Sequence, residues 1–147
     1  MAEPDDGKRS ESRKAEPSPP AQSLPVSMRM RSSALFRETF DQDRCQVGRL
    51  MVLWVRRAPD ARSRLGVIAS RKVGDAVRRN RAKRRIREAF RRSRAYFIRP
   101  DDVLIVARRR VVDAPWPEVV GELLKLARRS GLLDAQRCEE ARRAITE

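Results

Sequence analysis

An α+β fold, a small mixed β-sheet packed against helices in the order α-β-β-β-α-β-α, is what three observations in this chain predict. The first is a set of short apolar runs of strand length at residues 45–47, 49–57, 65–69 and 103–107. The second is a long segment between the last two runs where Ala82, Ile86, Ala89, Phe90, Ser93 and Phe97 share one side at roughly 100° per residue. The third is the order itself, helix, strands, long helix, strand, helix, which calls for helices laid on one small sheet. The strand, long helix, strand unit allows its two strands to run in parallel, and the general rule for such crossovers favours a right-handed connection.

Residues 1–26 carry Pro4, Pro17, Pro19, Pro20 and Pro25 among serines, with Lys8, Arg9, Arg13 and Lys14 offset by Glu3, Asp5, Asp6, Glu11 and Glu16. Such a segment buries too little apolar area to offset its ordering entropy, so a disordered tail is expected, and its acidic residues argue against a transit peptide. Ser32 or Ser33 can cap a short helix in which Leu35, Phe36, Thr39 and Phe40 fall at helical spacing, ending near Asp41. The strand at 49–57 (RLMVLWVRR) is continuous and apolar between basic ends; the next, at 65–69 (LGVIA), follows after Pro59, Asp60 and Ser63. Gly74 and Asp75 open the long helix, where the Asp75 carboxylate can cap free N–H groups, and the helix should reach about Tyr96. After the strand at 103–107 (VLIVA), residues 113–129 read as a helix with Val120, Leu123, Leu124 and Ala127 on one face. Pro117 and Glu118 stand early in it, Arg128 and Arg129 late, and Gly131 just beyond. Residues 134–145 read as a further, exposed helix. The expected division is therefore a tail over 1–26, one domain over 27–131 and a C-terminal tail over 132–147.

A chain of 147 residues has room for one domain with a real core. Its charge is lopsided. Thirty-five Lys and Arg against 20 Asp and Glu leave +15, with a pI near 11.4, and 14 of those cations lie between Arg64 and Arg99 against only Asp75 and Glu88. Cations gathered on one segment suit a phosphate polymer, because each neutralised phosphate releases condensed counterions. No apolar run approaches the roughly 20 residues of a spanning helix, and no signal-peptide pattern opens the chain, so a soluble cytoplasmic protein is expected. With no histidine and only Cys45 and Cys138, neither a four-ligand zinc site nor an imidazole-based nucleophilic arrangement can be built. The two cysteines are expected to be reduced and incidental.

On the long helix Asn80, Lys83, Arg84, Arg87 and Arg91 share a side adjacent to the apolar one, with Arg79 and Arg81 projecting to either flank. The ridge is two to three turns long and suits a sugar-phosphate backbone. Like charges at Arg84 with Arg87, and Arg87 with Arg91, repel unless an anion relieves them. Arginine also brings a planar guanidinium that grips phosphate in two places and stacks on bases. Phe36 and Phe40 are four apart on one helix face, and Val52 and Trp54 alternate onto one sheet face. The four can form an aromatic trough for single-stranded RNA, at about 1 to 3 kcal/mol per stacked base; the same spacing also serves a core.

The segment from Ser70 to Phe90, SRKVGDAVRRNRAKRRIREAF, resembles the signature of the bacterial ribonuclease P protein subunit: a basic pair, a Val-Gly-Asn-Ala-Val-like turn, and an Arg-Asn-Arg core followed by Lys-Arg and Arg-Glu. Asp75 stands where that family usually has Asn, and Arg71 where Lys is common. The resemblance extends over about residues 27–130, including Phe36, Phe40, Trp54 and the run Val103 to Arg108. It implies a protein that assists a catalytic RNA whose active site, with its magnesium ions, removes the 5′ leader from precursor tRNA. By the same resemblance Arg71, Lys72, Arg79, Asn80, Arg81, Lys83, Arg84 and Arg87 contact the catalytic RNA, and Phe36, Phe40 and Trp54 line a leader cleft. Magnesium is expected mainly on the RNA, with none bound tightly by the protein, no obligate protein partner and no membrane. The resemblance also implies a left-handed crossover, against the general rule. Two other readings compete: a structural RNA-binding protein such as a ribosomal component, and a self-sufficient nuclease holding magnesium on Asp41 and Asp43 or on Asp101 and Asp102.

Overall fold

The structure of the protein, a computed structural model, describes residues 24–146, so the tail expected at the N-terminus falls outside it as far as residue 23. Helix α1 (Ser33–Gln42) begins where Ser32 turns its Oγ to accept the N–H groups of Ala34 and Leu35. It ends at Asp43, which adopts the left-handed conformation at φ 56°. Strands β1 (Cys45–Val47), β2 (Met51–Arg56) and β3 (Leu65–Ile68) follow, then α2 (Ala76–Ser93), β4 (Asp102–Ala107), α3 (Trp116–Arg129) and α4 (Ala135–Thr146). The α+β class and the element order are those expected from the sequence, and α4 is the further helix expected over residues 134–145.

The four strands lie in the order β1-β2-β4-β3. β1 pairs with β2 and β2 with β4 in antiparallel fashion, whereas β3 joins β4 in parallel, so α2 is the crossover of a β-α-β unit in a mixed sheet. The register sorts side chains onto two faces. Met51, Leu53, Val55, Val103 and Ile105 are buried with Phe90, Ile86, Leu123 and Leu124 beneath α2 and α3. Val52, Trp54, Leu104 and Val106 occupy the other face, and of these four only Leu104 is fully covered. One side of this sheet is therefore core and the other is open apart from α1.

Several boundaries differ from expectation for identifiable reasons. β2 starts at Met51 and not at Arg49, because the Glu122 carboxylate on α3 takes the backbone N–H groups of Arg49, Leu50 and Met51 at 3.0, 2.6 and 3.0 Å. α3 starts at Trp116 and not at residue 113, since residues Arg109–Val112 form a 3₁₀ turn whose carbonyls are taken from outside. The Arg85 guanidinium reaches across from α2 to the carbonyls of Val111, Val112 and Ala114 at 2.7, 2.9 and 2.6 Å. The C-terminal segment is more than a tail. Leu132, Leu133, Ala141 and Ile145 are buried in the core, and Asp134 caps α4 by accepting the Arg137 N–H at 2.8 Å. At the other end Leu24, only 3% exposed, already belongs to the core, ahead of the expected start at 27.

The buried carboxylates sit at one end of the sheet. Asp102 is fully buried at the start of β4 and accepts from Arg56 at 2.8 Å, from Arg64 at 2.9 Å, and from the backbone N–H groups of Arg62 and Arg64 at 3.1 and 2.9 Å. Burial alone would push its carboxyl up; these hydrogen bonds outweigh burial and hold it below the ordinary aspartate value. Asp101, beside it, is paired with Arg57 at 2.9 Å and Arg99 at 3.3 Å.

A depressed carboxyl stabilises the fold at every pH above its unfolded-state value and loses that contribution as pH falls through the lower folded-state value. The parent protein should accordingly lose stability below about pH 4. Asp102→Ala, which leaves Arg56 buried beside an empty place, should cost about 3 kcal/mol at neutral pH in urea unfolding and flatten the acid limb. A neutral-pH loss under about 1 kcal/mol would show that the network contributes little.

Candidate nucleic-acid interface

The basic helix is aimed by what precedes it. A turn closed by Val73 N–H on the Ser70 carbonyl and Gly74 N–H on the Arg71 carbonyl lifts Arg71 and Lys72 into solvent while burying Val73. Gly74 has φ +143°, and a Cβ there would lie 2.7 Å from Arg78 Cδ, so the position requires glycine. Asp75 then caps the helix as expected, its Oδ1 accepting the Arg78 N–H at 2.9 Å.

Within α2 the buried side is Ala82, Ile86, Ala89, Phe90 and Ser93, as the spacing predicts. Asn80, Arg81 and Arg84 are exposed; Arg79 and Lys83, four apart and so on one flank of the helix, are half-buried. Four arginines of this helix are engaged elsewhere, among them Arg78, paired with Asp113 at 3.0 Å. Arg85 holds the 3₁₀ turn before α3, and Arg91, expected to extend the ridge, is gripped in two places by Glu88 at 3.1 and 2.8 Å. Glu88 also pairs with Arg92, and although burial opposes its charge, these two arginines hold its carboxyl below the ordinary glutamate value. The unpaired ridge thus ends at Arg87. Arg87 itself is half-buried and turned toward β3 and the segment before α1, away from the outer end of the ridge.

On the open face of the sheet Phe40 meets Trp54 edge-on, with ring centroids 4.9 Å apart at 85°. Phe36 lies over Gly66, where a Cβ would come within 2.9 Å of its ring. All three aromatic residues are half-exposed, beside Val52, Ile68 and Val106, and Val47 is 60% exposed at the edge strand. The face is apolar and open, neither sealed into the core nor covered by another element. The reading of Asp101 and Asp102 as magnesium ligands fails on their partners, since arginines already take their oxygens. Among the described residues no three Cys, Asp or Glu groups come together as a metal site, and no helix is long and apolar enough to cross a membrane.

The sequence reading overlooked two kinds of residue. Val77, 75% exposed on the first turn of α2 among the cations, follows no hydrophobic period. Arg29 and Arg31 belong to no motif, yet their alternation with Met28 and Met30 is a strand-like signal, and they reach the same groove as Arg87.

A profile of the Ribonuclease P family matches residues 24–131, from the first buried leucine to the glycine that ends α3. The chain belongs to this family. The ribonuclease P protein component of Symbiobacterium thermophilum is 35% identical over 109 residues, covering 74% of this chain and 95% of that one. Its counterpart from Desulfovibrio desulfuricans is 36% identical over 110 residues, covering 72% and 85%. Among solved structures, the RNase P protein from Thermotoga maritima superposes with a TM-score of 0.62 at 30% identity, covering 69% of this chain and 96% of that one. The Staphylococcus aureus RNase P protein gives 0.65 at 24% identity over 73% and 98%, a likeness of fold. Because the ribonuclease P match runs through the basic helix and the strands on both sides of it, a ribosomal component is no longer a competing reading.

The division of labour on α2 predicts opposite outcomes for neighbouring substitutions. Arg85→Ala leaves three carbonyls without their donor and should cost about 2 kcal/mol in urea unfolding. Arg84→Ala should stay within about 0.5 kcal/mol of the parent. Equal losses would mean that Arg85 is as free as its neighbour.

Proposed function

We propose that this chain is the protein subunit of a bacterial ribonuclease P, binding the catalytic RNA along α2 and the 5′ leader of precursor tRNA across the open sheet face. The observation that carries the reading is a ridge of unpaired cations leading onto an uncovered aromatic face, in a member of the Ribonuclease P family. Arg71, Lys72, Arg79, Asn80, Arg81, Lys83, Arg84 and Arg87 supply the RNA contacts. Phe36, Phe40 and Trp54 supply stacking surfaces to unpaired bases, which sequence-tolerant binding of a variable leader needs.

The chemistry, hydrolysis of the phosphodiester at the mature 5′ end, belongs to the RNA and its magnesium ions, and the assembly works in the cytoplasm. Asp101 and Asp102, one of the two aspartate pairs that could have held magnesium, are bound to arginines, which supports placing the ions on the RNA. The protein's part is to neutralise phosphates that would otherwise repel each other and to hold the leader in register with the cleavage site.

The test is cleavage of a 5′-extended precursor tRNA at low magnesium by a bacterial ribonuclease P RNA, with and without this protein. Cleavage at the mature 5′ end that requires both is expected. Tight RNA binding without stimulation would leave a purely structural RNA-binding protein, and cleavage by the protein alone would move the chemistry into it. Two variants refine the reading. Arg79→Ala should weaken binding to the ribonuclease P RNA while leaving the melting temperature unchanged; if about five phosphates are contacted, the parent's log-log salt slope should be about −4. Trp54→Ala should cost the holoenzyme about tenfold in affinity for leader-bearing precursor and nothing for mature tRNA.

A further inference from the structure

Before α1 the chain runs beside β3 as a short added edge. The Met30 N–H donates to the Leu65 carbonyl at 2.9 Å, and Arg29 pairs with Leu65 in a parallel bridge. Met30, 3% exposed, faces inward against Thr39, whose Oγ1 lies 3.8 Å from its sulfur. Extended backbone alternates, so Arg29 and Arg31 face outward. Arg29 is held by its Nε on the Leu24 carbonyl at 2.7 Å, which leaves its two terminal nitrogens free to point elsewhere.

Arg87 arrives at the same place from α2. The three arginines, with Phe36, Gly66 and Val67, line a groove of about 210 Å³ that contains no carboxylate. Among the described residues no carboxylate pairs with any of the three, whereas Arg91 and Arg92 nearby on α2 are both held by Glu88. Burial, and after it the charge of Arg29, push the Arg87 guanidinium below its usual pKa. Three cations converging without a counter-charge, Arg29 and Arg87 of them half-buried, oppose the fold unless an anion joins them.

We propose that Arg29, Arg31 and Arg87 form a phosphate-binding subsite that takes one backbone phosphate of an RNA strand as it passes from the α2 ridge onto the aromatic face. Guanidinium forks match the paired oxygens of a phosphodiester. The groove has room for the phosphate and part of its sugar, and the Phe36 ring in its wall offers a stacking surface to the attached base. Gly66 keeps the floor low, since a methyl group there would collide with Phe36, Leu104 and Met30. The subsite rests on the ribonuclease P reading and adds to it a defined point of contact. The phosphate comes either from the precursor's leader or from the catalytic RNA.

The test uses the full chain carrying Arg31→Gln alone and Arg31→Gln with Arg87→Gln, reconstituted with a bacterial ribonuclease P RNA. Affinity is measured for that RNA, for leader-bearing precursor tRNA and for mature tRNA, and the leader is scanned with single uncharged methylphosphonate linkages. The double variant should lose about tenfold in one of these affinities, and the salt slope should fall by roughly 0.7 to 0.9 for the phosphate released. A loss confined to leader-bearing precursor, with insensitivity to the one methylphosphonate that weakens the parent, assigns the phosphate to the leader. A loss confined to the ribonuclease P RNA assigns it there. Unchanged affinities and slopes overturn the subsite. Arg31 is exposed and unpartnered, so its single variant reports even if the double variant melts early. If the parent stimulates cleavage and the variants bind as it does, the subsite falls and the function stands; if the parent neither binds the RNA nor stimulates cleavage, both fall.

Discussion

The Asp102 carboxylate is the joint on which this architecture depends. It opens β4, accepts the guanidinium of Arg56 from the end of β2, and accepts both the backbone and the side chain of Arg64 just ahead of β3. Three strands are thereby pinned to one buried pair of oxygens, and two of them come from parts of the chain about 40 residues away from it. A charge taken wholly out of water is tolerable only when every lone pair is used, and here hydrogen bonds from side chains and backbone fill them. The register that results, Trp54 opposite Leu104 and Gly66 on its other side, sets the open face. It also sets the distance α2 must cover between β3 and β4.

A chain with so many arginines must separate those that hold the fold from those that bind. Carboxylates and carbonyls make the separation. Glu88 pairs with both Arg91 and Arg92, so it offsets one of their two charges and holds both side chains at the distal end of α2. Arg85 is drawn into three carbonyls and fastens the turn that launches α3. Asp60, Asp101 and Asp102 absorb Arg56, Arg57 and Arg64 at the far end of the sheet. Among the described residues no carboxylate pairs with Arg79, Arg81, Lys83, Arg84 or Arg87 on α2, or with Arg71 and Lys72 in the turn before it, whereas Arg78 is taken by Asp113. These cations follow one another along the turn and α2, where they add to a field that attracts polyanions.

How much of this could be read from the sequence depended on the range of the interaction involved. The periodicity of Ala82, Ile86, Ala89 and Phe90 is local, and it placed the buried side of α2 correctly. Ser32 and Asp75 are local too, and both cap the helices they were expected to cap. The start of β2 and the start of α3 were misplaced because Glu122 and Arg85, each far away in the chain, take backbone groups that the local pattern would assign elsewhere. Arg91 looked like part of the binding ridge because helical spacing shows which residues share a side and not which of them find a partner; Glu88, three residues before it, makes the difference. The C-terminal helix was expected but read as exposed and outside the domain, since Leu132, Leu133 and Ile145 are too sparse to form a pattern without the core they pack into.

The meeting of helix and sheet follows from one small residue. Gly66 sits on β3 between Phe36 and Leu104, and its missing side chain lets α1 settle close to the sheet. That closeness brings Phe40 onto Trp54 and leaves the remaining strip of Val52, Ile68 and Val106 uncovered. The chain before α1 must then run along the outer edge of β3 to reach the helix, which carries Arg29 and Arg31 beside Arg87. Cations at the margin and aromatic rings on the floor are the two properties that binding an unpaired strand requires, one for its backbone and one for its bases. Here both follow from the same packing constraint: a bulkier residue at 66 would push α1 outward, parting the aromatic pair and the arginine cluster together.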